Sequence, residues 1–188
     1  YSRSFTGLQT GDDNQFVLNF WELLGLKCSV FILFQSSSDN NDFFNGENRV
    51  LKWNNGCGSL AQNPSARIQG QSAWPCKGIM VQTMRNLYCC LKGNTAFDMN
   101  ASAIIPKDSD HIPALWAFIS SQEFRTEIRK INQKVRVADA TFTNVPFCLE
   151  RWTKVAEEKY PNGLPLPFSD DPTQWIFHGH PCRSDRGR

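Results

Sequence analysis

Histidine is scarce in this 188-residue chain, with three residues in all. No Ser/His/Asp order with recognisable surroundings occurs, and no phosphate-cradling P-loop or H-E-x-x-H zinc motif. The commonest signatures of nucleophilic, nucleotide-hydrolysing and zinc-protease chemistry are therefore missing. There is no apolar run of about 20 residues, which excludes a helical membrane span of ordinary length. The N-terminus carries no secretory h-region. No internal repeat marks a solenoid. A large excess of one charge is also lacking: 20 Lys and Arg face 18 Asp and Glu. The sum alone does not mark a polyanion as partner.

What is present is enough for one domain with a core, since 40% of residues are hydrophobic and 12% aromatic. The charge is unevenly placed. Residues 1–60 hold four basic and six acidic side chains, 61–136 hold ten and five, and 137–188 hold six and seven. The middle is thus the basic part, either a surface for a polyanion or a solvated face with scattered lysines. Seven cysteines is a high, odd number. Cys28, Cys89 and Cys90 lie inside apolar runs, where a free thiol behaves as a small hydrophobe. Together with the missing leader this points to a reducing, cytoplasmic compartment.

Along the chain, Asp12 or Asp13 is placed to cap a helix, with Gln15 completing a box from Asp12. Phe16, Val17, Phe20, Trp21 and Leu24 share one helical face, and Gly25 ends the helix. CSVFILF at 28–34 predicts a buried strand, Asn45-Gly46 a hairpin turn before RVLKW, and 54–73 a long polar loop. GIMVQT, LYCCLK and MNASAII predict three more strands. Pro113 then opens a helix carrying Leu115, Trp116 and Ile119. Ser120 with Glu123 caps a second helix, whose apolar stripe is Phe124, Ile128, Ile131 and Val135. VADATFTNVPF reads as extended or turn, and LERWTKVAEEKY as a last helix. Residues 161–188 read as an extended tail that must lie on something, because Leu164, Phe168, Trp175 and Phe177 are apolar. Strands first and helices later predict an α+β fold with a mixed, mostly antiparallel sheet.

Few motifs carry chemistry. Gly56-Cys57-Gly58-Ser59-Leu60-Ala61 matches G-x-G-x-x-A, yet Pro64 and a polar run follow where a helix must start, so a loop is expected. In HGHPC, His178, His180 and Cys182 alternate sides of an extended stretch, a poor zinc set that Cys57 and Cys76 would have to complete. Cys89–Cys90 has no nearby histidine to activate it. The strongest candidate is the segment 121–136. Arg125, Arg129, Lys130, Lys134 and Arg136 lie on or just beyond one helix. Basic residues in a last turn also suit the helix dipole, so a purely structural role fits equally. Asn132 and Gln133 beside them are types that read adenine edges, and Arg reads guanine.

Four stretches resemble a known family: GLQTGDDNQF, the run AWPCKGIMVQTMRNLYCCLKGNTAFDMNASAIIPKD, the run IPALWAFISSQEFRTEIRKINQKVRVADATFTNVPF, and LERW…KYPNGLP…SDDPTQWIFHG. The resemblance is to the C-terminal part of large bacterial restriction–modification DNA methyltransferases, which methylate the exocyclic amine of adenine with S-adenosylmethionine. The helix–NVPF ending is also similar to recognition domains of Type I specificity subunits. The family's N-P-P-[FY] motif does not occur here; Asn63-Pro64-Ser65 departs from it. Cys148 stands where the family pattern has a capping Asp. The resemblance implies a target-recognition domain over residues 1–160 and no cofactor in this chain, with S-adenosylmethionine held by a preceding catalytic domain. It implies two partners, double-stranded DNA and that methyltransferase domain, and no membrane. Expected DNA contacts are Lys77, Arg85, Lys92, Arg129, Lys130, Asn132, Gln133, Lys134 and Arg136. A protein-interaction module of a phage-defence complex and a small metal-binding protein using HGHPC are the alternatives.

Overall fold

The computed structural model describes residues 1–23 and 29–167. Among the described residues, eight strands form two four-stranded sheets. In the first sheet the order is β1 (Ser2–Thr6), β8 (Ala101–Pro106), β5 (Gly78–Gln82), β6 (Cys89–Lys92), antiparallel throughout. In the second it is β2 (Val17–Asn19), β4 (Arg49–Lys52), β3 (Phe31–Gln35), β7 (Ala96–Phe97), with β3 and β7 parallel. The α-helices among the described residues are α1 (Asp13–Phe16), α2 (Ser59–Gln62), α3 (Ile112–Ile119), α4 (Gln122–Ile131), α5 (Asp139–Thr143) and α6 (Leu149–Lys159). The class is α+β with mixed, mostly antiparallel sheets, as the order of the sequence patterns predicts.

The pleat of the first sheet explains its core. Ile79, Val81, Cys89 and Ile104 point to one face, where they meet Leu115, Phe118, Phe124, Ile128 and Trp152 of the helical layer. Met80, Cys90, Ala101 and Ala103 point to the other and pack on Ala73 and Phe97. A strand read alone leaves one of Cys89 and Cys90 outside the core. Both are fully buried because this sheet is covered on both faces. A third cluster, Leu8, Phe16, Phe34, Leu51, Leu60 and Ala96, lies beneath the second sheet.

The opening turn joins the two sheets. Leu8 bridges Asp98 in parallel, and Gln9 bridges Arg67. Gly7 is required there, since a Cβ would lie 2.0 Å from the Asp98 carbonyl oxygen. Asp12 caps α1, accepting the Gln15 amide at 3.3 Å, while its own amide donates to Thr10 Oγ1 rather than to a Gln15 side chain. The expected long helix through Trp21 does not form. After one turn, Val17 pairs with Leu51 as an edge strand, and ladder bonds to β4 displace the helical ones. Trp21 consequently stands 56% exposed. The expectations for Leu24, Gly25 and Cys28 lie outside the described residues.

Three other expectations change. The cap of α4 is Ser121, which accepts the Phe124 amide, whereas Ser120 donates its hydroxyl to Trp116 O. Phe124 and Ile128 are buried, but Ile131 is 51% and Val135 74% exposed. The helix stops at Ile131, and Asn132 turns extended, so the stripe leaves the core one turn early. Within VADATFTNVPF, Asp139–Thr143 is a short helix, α5, which packs on β1 through Thr6 Oγ1 donating to Asp139. Cys148 begins α6 without a side-chain cap bond, as its thiol suggests. Leu164 packs against the helical core and Leu166 is exposed. Phe168, Trp175, Phe177 and HGHPC lie outside the described residues.

Candidate nucleic-acid interface

The link between β5 and β6 makes one wall of a groove of about 710 Å³. The polar face of α4 makes the other. Arg85, Asn86, Leu87 and Tyr88 come from the link, and Gln122, Arg125, Thr126, Arg129, Lys130 and Gln133 from the helix and its end. Four cations line the groove and no carboxylate does. The helical spacing that buries Phe124 and Ile128 turns these polar positions outward. Other cavities differ: one of about 430 Å³ is lined by Asp110 and Glu157, one of about 340 Å³ by Asp39, Glu47 and Arg49, and one of about 250 Å³ is largely apolar around Phe118.

The link is held in an unusual backbone state. Arg85 and Leu87 have φ of 56° and 54°, the left-handed region that non-glycine residues seldom enter. Burial of Leu87 in the core anchors one side. On the other, Arg129 spreads its guanidinium between two carbonyls, donating to Arg85 O at 2.8 Å and Lys134 O at 2.6 Å. Val137 N donates to Thr83 O, and Met84 bridges Arg136. Arg125 lies 5.7 Å over the Tyr88 ring, and its Nε has no hydrogen-bond partner. Asn86 Nδ2 donates to Tyr88 OH at 2.9 Å.

Both acids on α4 are paired, Glu123 away from the groove and Glu127 with the groove-lining Lys130. Glu123 holds Arg151 of α6 by two bonds of 2.7 and 2.6 Å, a pairing that keeps its carboxyl below the usual range. Glu127 pairs with Lys130 at 2.6 Å.

The predicted contacts therefore separate. Arg85, Arg129, Lys130 and Gln133 share the groove. Lys134 follows directly and is exposed. Arg136 is exposed too, but its guanidinium donates to Met99 O at 2.5 Å. Asn132 is committed internally, accepting the Lys134 amide and donating to Thr141 Oγ1. Lys77 is exposed at the opposite end of β5, on the order of 20 Å along the strand from the link.

Lys92 must be withdrawn as a DNA contact. It is 3% exposed, and its three ammonium N–H groups lie within hydrogen-bond reach of four carbonyls, those of Trp74, Cys76, Gly93 and Thr95. Burial pulls its pKa from 10.5 down to about 8, against the opposing pull of Cys76 and Glu47. Such a group cannot reach a phosphate without unfolding the site.

Arg125, a cation of the candidate segment 121–136, lines the groove too, with Gln122 and Thr126 from the same segment, while Asn86 and Tyr88 lie outside every expected contact. The available signal was the spacing 122, 126, 129, 133 of polar side chains on α4, together with the Arg-Asn pair between two strands. Cys89, next to the groove-lining Tyr88, is buried in the core, and burial raises its pKa to about 12 despite nearby Arg125, so it is no nucleophile at neutral pH. The G-x-G-x-x-A stretch enters α2, one turn long, with no side-chain cap. Among the described residues no group of His, Cys, Asp and Glu is arranged to hold a metal, and no helix is long and apolar enough to cross a membrane. No protein-family model matches the sequence, and no curated protein does.

Proposed function

We propose that this chain is a DNA-recognition module that works in the cytoplasm beside an adenine-specific methyltransferase domain. The observation that carries the proposal is the groove in which Arg85, Arg125, Arg129 and Lys130 converge with no acid among the lining residues. Cations positioned by folded elements, with amide side chains between them, suit a partner that is negative along its length and polar at its base edges. The family resemblance of the sequence supplies the rest. The groove alone is a weak binder, since a catalytic domain that flips a base would form the other wall of the DNA cleft.

Binding of a labelled duplex across a salt series tests this. Affinities on the order of 10⁻⁴–10⁻⁶ M at physiological salt are expected. Arg85→Ala and Lys134→Ala should each lower the salt slope by about one unit, whatever the DNA sequence. Lys77→Ala, remote from the groove, should bind like the parent. Absence of duplex binding even at low salt removes the proposal and leaves a protein-interaction module.

A second expectation concerns the cofactor. With neither a glycine-rich loop that feeds a helix for S-adenosylmethionine nor an N-P-P-[FY] for the flipped adenine, the chain should take up no S-adenosylmethionine in calorimetry. Tight one-to-one uptake would mean that the chain is more than a recognition module.

A further inference from the structure

We infer that the turn between β5 and β6 is the base-reading element of the groove, with Asn86 addressing an adenine edge and Arg129 acting as its positioning residue. The inference rests on the groove being a DNA interface and goes beyond it, because it separates reading from holding.

Reading needs a side chain fixed within a fraction of an ångström; holding a phosphate does not. The turn meets that need through its backbone. Two non-glycine residues in left-handed conformation persist only where the surroundings over-determine them. Here the surroundings are the buried Leu87 side chain, the Arg129 guanidinium on Arg85 O, and the Val137 amide on Thr83 O. The backbone is thus clamped while residues 85 and 86 stay exposed.

Asn86 is the better reader of the two. Its bond to Tyr88 OH uses one N–H of the amide and fixes the plane of the group. The second N–H and the carbonyl oxygen remain for a ligand, and that pair matches adenine N7 and N6. Arg129 itself is occupied by two carbonyls, so its part is to hold the turn rather than to touch DNA.

The test is selection from a pool of short duplexes with a randomised centre, using the full chain. The parent is expected to enrich a motif containing adenine. Asn86→Ala should flatten one position of that motif, a loss of preference on the order of 10- to 100-fold. Arg129→Lys keeps the charge but cannot fork between two carbonyls. It should blur the same position and leave the salt slope alone, a readout that a merely stabilising role would not give. Asn86→Ala alters only an exposed side chain, so it keeps the test valid even if the Arg129 variant unfolds. If the parent enriches a motif and Asn86→Ala enriches it equally, the inference is wrong and the groove proposal stands. If the parent binds but enriches nothing, the inference is also wrong. If the parent does not bind duplex, both fall.

Discussion

Phe124→Ala is expected to destabilise the fold by about 3–5 kcal/mol, the largest loss from any single truncation in α4. Phe124 has no exposed surface. Its ring meets Phe118 edge-on at 5.2 Å and lies parallel to Phe142 at 6.2 Å. Removing it leaves a cavity bounded by α3 and α5, whose positions are fixed by the sheet, so little collapse can fill the space. Ile128→Ala, also fully buried, should cost about 2–5 kcal/mol. Ile131→Ala, half exposed at the helix end, should stay within about 0.5 kcal/mol of the parent. Urea unfolding followed by circular dichroism gives all three values. An Ile131 cost equal to that of Ile128 would mean that the helix continues its stripe into the core, contrary to the geometry described. Because α4 also forms a wall of the groove, the Phe124 variant should weaken DNA binding in proportion to the unfolded fraction and not beyond it.

The parts of this fold that could be read in advance are those in which short-range pattern and long-range packing agree. β5, β6 and β8 were legible because apolar runs between turn residues have few other uses. α3 was legible because Pro113 fixes its start. α1 was not, since a helical stripe from Phe16 to Trp21 is equally an edge strand once Leu51 is available to pair with Val17. The groove was half legible. Arg85, Arg129, Lys130 and Gln133 follow from charge and residue type, but Tyr88 and Arg125 meet only through a contact between segments far apart in sequence. Lys92 shows the limit most clearly. A lysine before Gly93-Asn94 has the pattern of a surface turn. That four carbonyls from two separate segments converge on it is a tertiary fact with no local signature.

The same buried region carries the second large effect. Glu47→Gln is expected to stabilise the protein by about 3 kcal/mol at pH 8 and to change little at pH 4. Glu47 is 3% exposed, and neither carboxylate oxygen has a hydrogen bond of ordinary geometry. Burial raises its pKa from 4.5 to about 7, although Lys92 and the Gly93 amide both pull it down. The direction shows that burial wins over the attraction of Lys92, whose ammonium is already satisfied by carbonyls. Below pH 4.5 the carboxyl is protonated in the folded and unfolded chain alike, and no cost arises. Between 4.5 and about 7 the unfolded chain releases its proton while the folded one keeps it, so stability falls as pH rises. Above about 7 the full cost is present. Lys92 adds the opposite limb. Its folded pKa of about 8 lies below 10.5, so its own cost is complete below 8 and relaxes as pH rises from 8 toward 10.5. The contribution of these two groups should therefore be least favourable between about pH 7 and 8. The glutamine variant keeps the shape of the neutral acid and loses the first limb alone. Thermal melts at pH 4 and pH 8 decide the matter, with an upward shift on the order of 6–12 °C expected at pH 8. A variant that melts lower than the parent at pH 8 would mean that ionised Glu47 is a net stabilising partner of Lys92, and that the buried pair supports the fold rather than straining it.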